Sequence, residues 1–384
     1  MSTAHTASPP PTSASTPKRI LALDGGGVRG IVTIAFLEDM EAKLRAETGQ
    51  ENLVLADHFD LIGGTSVGSI IATMLALGWD MDKVASTFKA WAPEIFGGAS
   101  GLGFFGSKFS ERVLEEKLAE TLGDMQLDSP ELKTKLAIVT KRLDTGSPWW
   151  IVTNNPDSPW WNGQEAGRKN HAFKVADLVR ASTAAPTIFK PKPLPIVPGQ
   201  PPGVFVDGGL SPFNSPALAL LMIARLKGHG LGWPLGADNL QMVSVGTGIW
   251  RDPVDYGFWN RRIAALFAVQ ALRGMITDSQ MLSLAIMQWM SNPRRPWPIN
   301  SEIGDMAGEC LGAGLEPQAP LLKYQRYDLE VEAAKLAPLM ANGKPPSQRQ
   351  LNRLRSLDDP AELETLYQLA KKAAADQVSA VDFL

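Results

Sequence analysis

Asp57-His58-Phe59-Asp60-Leu61-Ile62-Gly63-Gly64-Thr65-Ser66-Val67-Gly68-Ser69-Ile70-Ile71 is a short apolar run that breaks at small residues and resumes with helical spacing through Leu77. Within it, Gly64-Thr65-Ser66-Val67-Gly68 is a Gly-x-Ser-x-Gly pattern. Its flanking glycines allow a sharp turn from strand to helix that lifts the serine hydroxyl clear of the backbone. Ser66 then stands at a helix N-terminus, where aligned peptide dipoles favour developing negative charge. The competing reading is structural, a tight turn whose serine only caps the helix. A nucleophile needs a base and an oxyanion hole, so the rest of the chain decides between the two.

Upstream, Lys18-Arg19-Ile20-Leu21-Ala22-Leu23 reads as a strand buried in a parallel sheet. It ends in Asp24-Gly25-Gly26-Gly27-Val28-Arg29-Gly30, and a helix follows from Ile31 to about Glu47. As Gly25-x-Gly27-x-x-Gly30 the turn matches a dinucleotide fingerprint, and a nucleotide cofactor would sit there. It could equally present its N–H groups to the oxyanion of an attacked ester. No acidic residue stands at the end of a second strand about 20 residues on, where a ribose would need it. That second strand delivers Ser66 instead, and the oxyanion reading leads.

Downstream, Val204-Phe205-Val206 reads as a strand that ends in Asp207-Gly208-Gly209, placing a carboxylate at the sheet edge that carries Ser66. Leu240 to Val245 is one more buried strand before Gly246-Thr247-Gly248. Between these blocks the spacing predicts helices over 79–92, 110–122 with Ser110 as N-cap, 173–183 and 214–225. Leu136–Thr140 and Trp149–Thr153 read as an antiparallel hairpin, and the proline-rich 191–202 as a surface loop. Residues 258–291 read as mostly helical, and 323–331 as an exposed edge strand. The glycine-spaced run from Ile95 to Phe109 reads as a greasy loop, with Trp149, Trp150, Trp160 and Trp161 as core or loop anchors.

The chain has 384 residues, 44% of them hydrophobic, ample for a well-buried core. A net charge of −3 gives no footprint for nucleic acid, and nucleic acid is not expected as a partner. Cys310 is the only cysteine, which suits a reducing compartment. No Cys/His cluster or calcium loop has ligand spacing, so neither metal nor cofactor is expected. Met1 to Pro17, rich in Ser, Thr and Pro, reads as a disordered tail without the basic start and apolar block of a secretory signal. Charges interrupt every apolar segment before a membrane-spanning length, so the expectation is a cytoplasmic protein, soluble or peripheral at a membrane.

Asp24-Gly25-Gly26-Gly27-Val28-Arg29-Gly30, Phe59 to Gly68, Ala181-Ser182-Thr183-Ala184-Ala185-Pro186 and Asp207-Gly208-Gly209, in that order, resemble the patatin-like phospholipases from about Ile20 to Gly248. The resemblance implies an α/β fold of three layers, a mostly parallel central sheet with helices on both faces. With the composition of the tail and the break at Asn342-Gly343-Lys344-Pro345-Pro346 before charged amphipathic helices, the expected division is the tail (1–17), a hydrolase domain (18–335) and a C-terminal helical appendage (336–384). The resemblance also implies a Ser-Asp dyad acting on fatty acyl esters of phospholipids or related lipids. Ser66 would be the nucleophile, held in an elbow by Gly64, Thr65, Val67 and Gly68, and Asp207 its base, followed by Gly208 and Gly209. Gly25, Gly26 and Gly27 would form the oxyanion hole, with Arg29 in the family's basic position. Some bacterial relatives are switched on by a cyclic nucleotide, although no residue here marks such an activator. Of the histidines, His5, His58, His171 and His229, only His229 would complete a Ser…Asp…His order, and its loop reads as solvated. Two other classes stay open: a dinucleotide-binding protein using Gly25 to Gly30, and a non-catalytic lipid-binding or interaction protein using 95–109 and the tryptophans.

Overall fold

Strand β1 (Lys18–Leu23) is fully buried from Ile20 onward and lies between two parallel neighbours, β2 (Leu61–Thr65) and β7 (Leu240–Val245). A strand with sheet on both sides and helices above and below meets no water, which is why its sequence runs apolar rather than alternating. This computed structural model describes residues 16–97, 107–147, 152–153, 155–158, 170–186, 188–197, 199–251, 264–311 and 320–384. The sheet runs β5-β6-β3-β2-β1-β7-β8, with β4 paired on β3. Strand β3 is Lys135–Arg142, β4 Val152–Thr153, β5 Lys192–Leu194, β6 Gly203–Asp207 and β8 Lys323–Tyr327. From β3 through β8 along that order the pairings are parallel, while β4, β5 and β6 run antiparallel to their partners.

Alternate strand residues feed two cores, as a period of two requires. Leu21, Leu23, Ile62, Ile138 and Val243 face one cluster. There α1 (Gly30–Thr48), the short α2 (Leu55–His58), α3 (Val67–Ala76) and α4 (Met81–Phe96) gather with α5 (Ser107–Leu122) and α6 (Val175–Ser182). Ile20, Ala22, Leu61 and Met242 face the other, under α7 (Ala217–Arg225) and α8 (Ala264–Trp289). The three layers are therefore helix, sheet and helix. No helix among the described residues is long and apolar enough to cross a membrane.

Several elements depart from the sequence expectation. Ser110 lies inside α5, which already begins at Ser107, so it is no N-cap. The proline-rich 191–202 contributes β5, where Pro193 is tolerated because the strand is the sheet's outer edge. Strand β8 is at the other edge but is not exposed: Tyr324, Gln325, Arg326 and Tyr327 are all buried. The tyrosine hydroxyl of Tyr327 bonds Asp382 at 2.6 Å, showing what covers that edge.

After α9 (Ala333–Leu336), the helices α10 (Gln348–Leu354) and α11 (Leu363–Gln377), expected as an appendage over 336–384, share the α1 core. Leu366, Leu369, Ala370 and Ala373 bury one helical face there, and the last residues tie back to the sheet. His58 Nε2 meets the carbonyl of Phe383 at 2.7 Å, and Gln241 donates to that of Leu384 at 3.2 Å. The expectations for 1–15, for the middle of the 95–109 loop and for the four tryptophans fall outside the described residues.

Candidate active site

Strand β2 ends at Thr65, and α3 starts at Val67. Ser66, between them, holds φ 53° and ψ −125°, a conformation rare for a residue with a side chain. Such strain persists only where the surroundings enforce it, and here they are backbone. A Cβ on Gly68 would strike the carbonyl of Leu23 at the end of β1, and one on Gly64 the carbonyl of Gly68. The two glycines of the pattern therefore let strand and helix close onto each other around the serine. The Ser66 N–H is held as well: it donates to Ser182 Oγ at 2.8 Å, and that hydroxyl donates to the carbonyl of Val139 on β3 at 2.6 Å. Ser182 stood in the Ala181–Pro186 block without a role, because its partners lie far away in sequence.

Asp207 arrives from an unexpected direction. Strand β3 overshoots β2: Thr65 is level with Val139, leaving Thr140 to Arg142 beyond it. Strand β6 pairs antiparallel with that overhang, Phe205 on Arg142 and Asp207 on Thr140. It thus runs back toward the end of β2 and stops beside Ser66. The hydroxyl of Ser66 donates to Asp207 Oδ2 at 2.6 Å, and the N–H of Gly209 donates to Oδ1 at 2.7 Å. Both carboxylate oxygens are thereby fixed. The side chain is only 5% exposed, and burial pushes its pKa up to about 6, against the opposing pull of the bonds from Ser66 and Gly209.

The glycine turn lies against the same serine, since a Cβ on Gly25 would come within 3.3 Å of Ser66 Cβ. Its three N–H groups are not equivalent. Gly25 donates to the carbonyl of Asn214 at 3.1 Å, which removes it from the expected oxyanion set. Neither Gly26 nor Gly27 donates its N–H to a partner among the described residues. The next N–H, from Val28, is taken by the carbonyl of Leu357 at 2.9 Å. Gly27 adopts φ +59°, and a Cβ there would strike that same Leu357 carbonyl. Arg29 turns its guanidinium to the carbonyl of Gly248 (3.1 Å) and over the ring of Trp250 (4.6 Å). Burial lowers its pKa to about 10, with Asp328 pulling the other way, so it remains charged at neutral pH. It braces the turn against the end of β7.

Under the turn sits a buried charge cluster. Arg326 on β8 reaches Asp24 and Asp328, each at 2.6 Å, and Asp328 accepts the N–H of Gly248 at 2.7 Å. Burial raises the pKa of Asp24, partly offset by Arg326. None of the described histidines bonds the dyad. His58 holds the C-terminal segment and His171 faces Asp128. His229 is half-buried in a turn whose carbonyl takes the amide of Asn155, not in a solvated loop, and burial lowers its pKa.

A hydroxyl bonded to a carboxylate, with two N–H groups of the adjoining glycine turn unengaged among the described residues, is equipped for acyl transfer. The model of the family described as patatin-like phospholipase matches residues 21–221, more than half of the chain. The chain belongs to the patatin-like phospholipase family. All four blocks that carried the resemblance lie inside the matched span, as do Ser66 and Asp207. Among curated proteins, this family member is 30% identical over 218 residues to the cGAMP-activated phospholipase of Vibrio cholerae, covering 54% of this chain and 58% of that one. It is 28% identical over 247 residues to patatin group J-1 of Solanum tuberosum, covering 60% of each. The chain thus matches under two thirds of the length of these patatin-like relatives. The solved structure of human GIVD cytosolic phospholipase A2 with methyl gamma-linolenyl fluorophosphonate aligns over 94% of this chain and 57% of that one. Its identity is 14% and the TM-score 0.44.

Proposed function

We propose that this chain is a lipid acyl hydrolase that cleaves fatty acyl esters of phospholipids or related lipids, with Ser66 as nucleophile and Asp207 as base. The 2.6 Å bond between the Ser66 hydroxyl and Asp207 carries the proposal, and membership of a phospholipase family supports the substrate class. As Ser66 Oγ attacks the ester carbonyl carbon, Asp207 takes its proton. The carbonyl oxygen becomes an oxyanion, which the N–H groups of Gly26 and Gly27 receive. The tetrahedral intermediate collapses, the C–O bond to the lysolipid alcohol breaks, and Asp207 returns the proton to that alcohol. Asp207 then deprotonates a water that attacks the acyl-enzyme, releasing the fatty acid and restoring Ser66. The cytoplasm, at a membrane surface, is the compartment we propose, on the single cysteine and the lipid substrate.

The test incubates purified protein with mixed phospholipid vesicles and with a soluble short-chain ester, Ser66→Ala serving as the blank. Fatty acid and lysolipid appear with the wild-type chain only, whereas release of neither product overturns the proposal. The Vibrio cholerae and Escherichia coli relatives are named cGAMP-activated phospholipases, so the assay runs with and without cGAMP. Stimulation extends the proposal to a small-molecule activator.

The elevated pKa of Asp207 adds a pH signature. A base works only when ionised, so kcat/KM for the soluble ester climbs with pH through about 6 and is flat above. A profile measured across pH about 4 to about 9 checks this. The same limb persisting in the residual activity of Asp207→Asn would remove Asp207 from the role.

A further inference from the structure

We infer that Thr247, with Asn214, is a positioning residue that aims the Gly26 N–H at the oxyanion. The inference rests on the hydrolase reading and goes one layer below it. In a trans peptide the C=O of one residue and the N–H of the next lie in one plane and point opposite ways. Whatever holds the carbonyl of Gly25 therefore sets the direction of the Gly26 N–H. Two side chains hold it: Thr247 Oγ1 donates to that oxygen at 2.9 Å and Asn214 Nδ2 at 3.4 Å. The peptide on the other side of Gly25 is fixed too, by its N–H bond to the Asn214 carbonyl.

The two donors come from separate elements. Thr247 follows β7, on the far side of β1 from Ser66, while Asn214 lies between the Asp207-Gly208-Gly209 turn and α7. The Thr247 side chain is buried at 3% exposure, out of reach of competing bulk water. A Cβ on Gly26 would strike its hydroxyl, so the glycine lies directly upon it. Its neighbour Gly248 is pinned by Asp328 at 2.7 Å. The second donor is aimed in the same manner, because the Gly26 carbonyl accepts the N–H of Arg29 at 3.2 Å, fixing the plane that carries the Gly27 N–H. Of the two planes, only the first depends on side chains, and mutation can reach it.

The experiment compares Thr247→Val, which keeps the shape and loses the donor, with Thr247→Ser, which keeps the donor. Each is assayed on a soluble short-chain ester for kcat and KM, for phosphonylation rate by an alkyl fluorophosphonate, and for thermal unfolding. Loss of one oxyanion donor costs about 10²–10³-fold, and misdirecting one costs less. Thr247→Val is expected to lower kcat and phosphonylation about 10- to 100-fold with KM little changed, and Thr247→Ser to stay within about threefold of wild type. The pH limb near 6 stays in place in both variants, because Asp207 is untouched. Unimpaired kcat in Thr247→Val, equal losses in both variants, or a loss confined to KM overturns the inference while leaving the hydrolase reading intact. Should Thr247→Val unfold at low temperature, Asn214→Ala reads the weaker donor: about a threefold fall in kcat supports the inference, and no change overturns it. A wild-type protein that neither turns over ester nor reacts with the fluorophosphonate overturns the hydrolase reading and this inference together.

Discussion

Ser66→Ala and Asp207→Asn each lower ester turnover by about 10⁴-fold or more, yet only Asp207→Asn makes the fold more stable. Without the hydroxyl no acyl-enzyme forms, and binding plus the glycine amides leave a small residue of catalysis. The asparagine keeps shape, and its oxygen can still accept the Gly209 N–H, but an amide cannot take the Ser66 proton. The stability gain follows from burial. Holding Asp207 at a pKa of about 6 rather than 3.8 costs the native state about 3 kcal/mol when the group is ionised. Because its folded-state pKa lies above the unfolded one, the native state holds the proton more tightly. Wild-type stability thus falls as pH rises from about 4 to about 6 and is level beyond, a slope that Asp207→Asn lacks. Urea unfolding shows the two proteins alike near pH about 4 and separated by up to about 3 kcal/mol near neutral pH. Wild-type turnover in Asp207→Asn would remove the carboxylate from the mechanism.

Arg326→Met destabilises the chain by about 3–5 kcal/mol, the usual cost of removing one partner from a buried ion cluster. The Arg326 side chain, 7% exposed, stands between two carboxylates that are essentially out of water. Its loss leaves Asp24 and Asp328 directly below the glycine turn with their bonded counter-charge gone, Arg29 interacting with Asp328 alone. Asp24 precedes Gly25 in the chain and Asp328 holds Gly248, so activity falls as well, before global unfolding begins. The defect shrinks in acid, where Asp24, its pKa already raised by burial, takes up a proton. Urea midpoints at neutral and acidic pH check both statements, and a loss under about 1 kcal/mol contradicts the first.

What could be read beforehand was what local chemistry imposes. Apolar runs bounded by charge and glycine gave β1, β2 and β7, since strands covered on both faces must read that way. The Gly-x-Ser-x-Gly turn and the two Asp-Gly-Gly turns located the serine, the carboxylate and the amides, because close backbone approach admits no side chain there. The direction of β6 was not legible, as it depends on how far β3 overshoots β2. The removal of Gly25 from the donor set was hidden too, because its acceptor is 189 residues away, on the residue whose amide also reaches Gly25. Arg326 read as one of several charges on an edge strand. Only the depth of that edge, and an aspartate 302 residues earlier, makes it a buried counter-ion. For α11 the i, i+3, i+4, i+7 spacing of Leu366, Leu369, Ala370 and Ala373 announced a covered face, but periodicity does not say which helix covers it.

The bond from Val28 to the carbonyl of Leu357 has a consequence for how the protein is made. Translation delivers the glycine turn more than 300 residues before its anchor. A ribosome-bound chain that already carries serine and aspartate still lacks the strap over that turn until Leu357 has left the exit tunnel. On the proposed hydrolase reading, a nascent polypeptide gains lipid-cleaving competence only once that segment has emerged and strapped the turn.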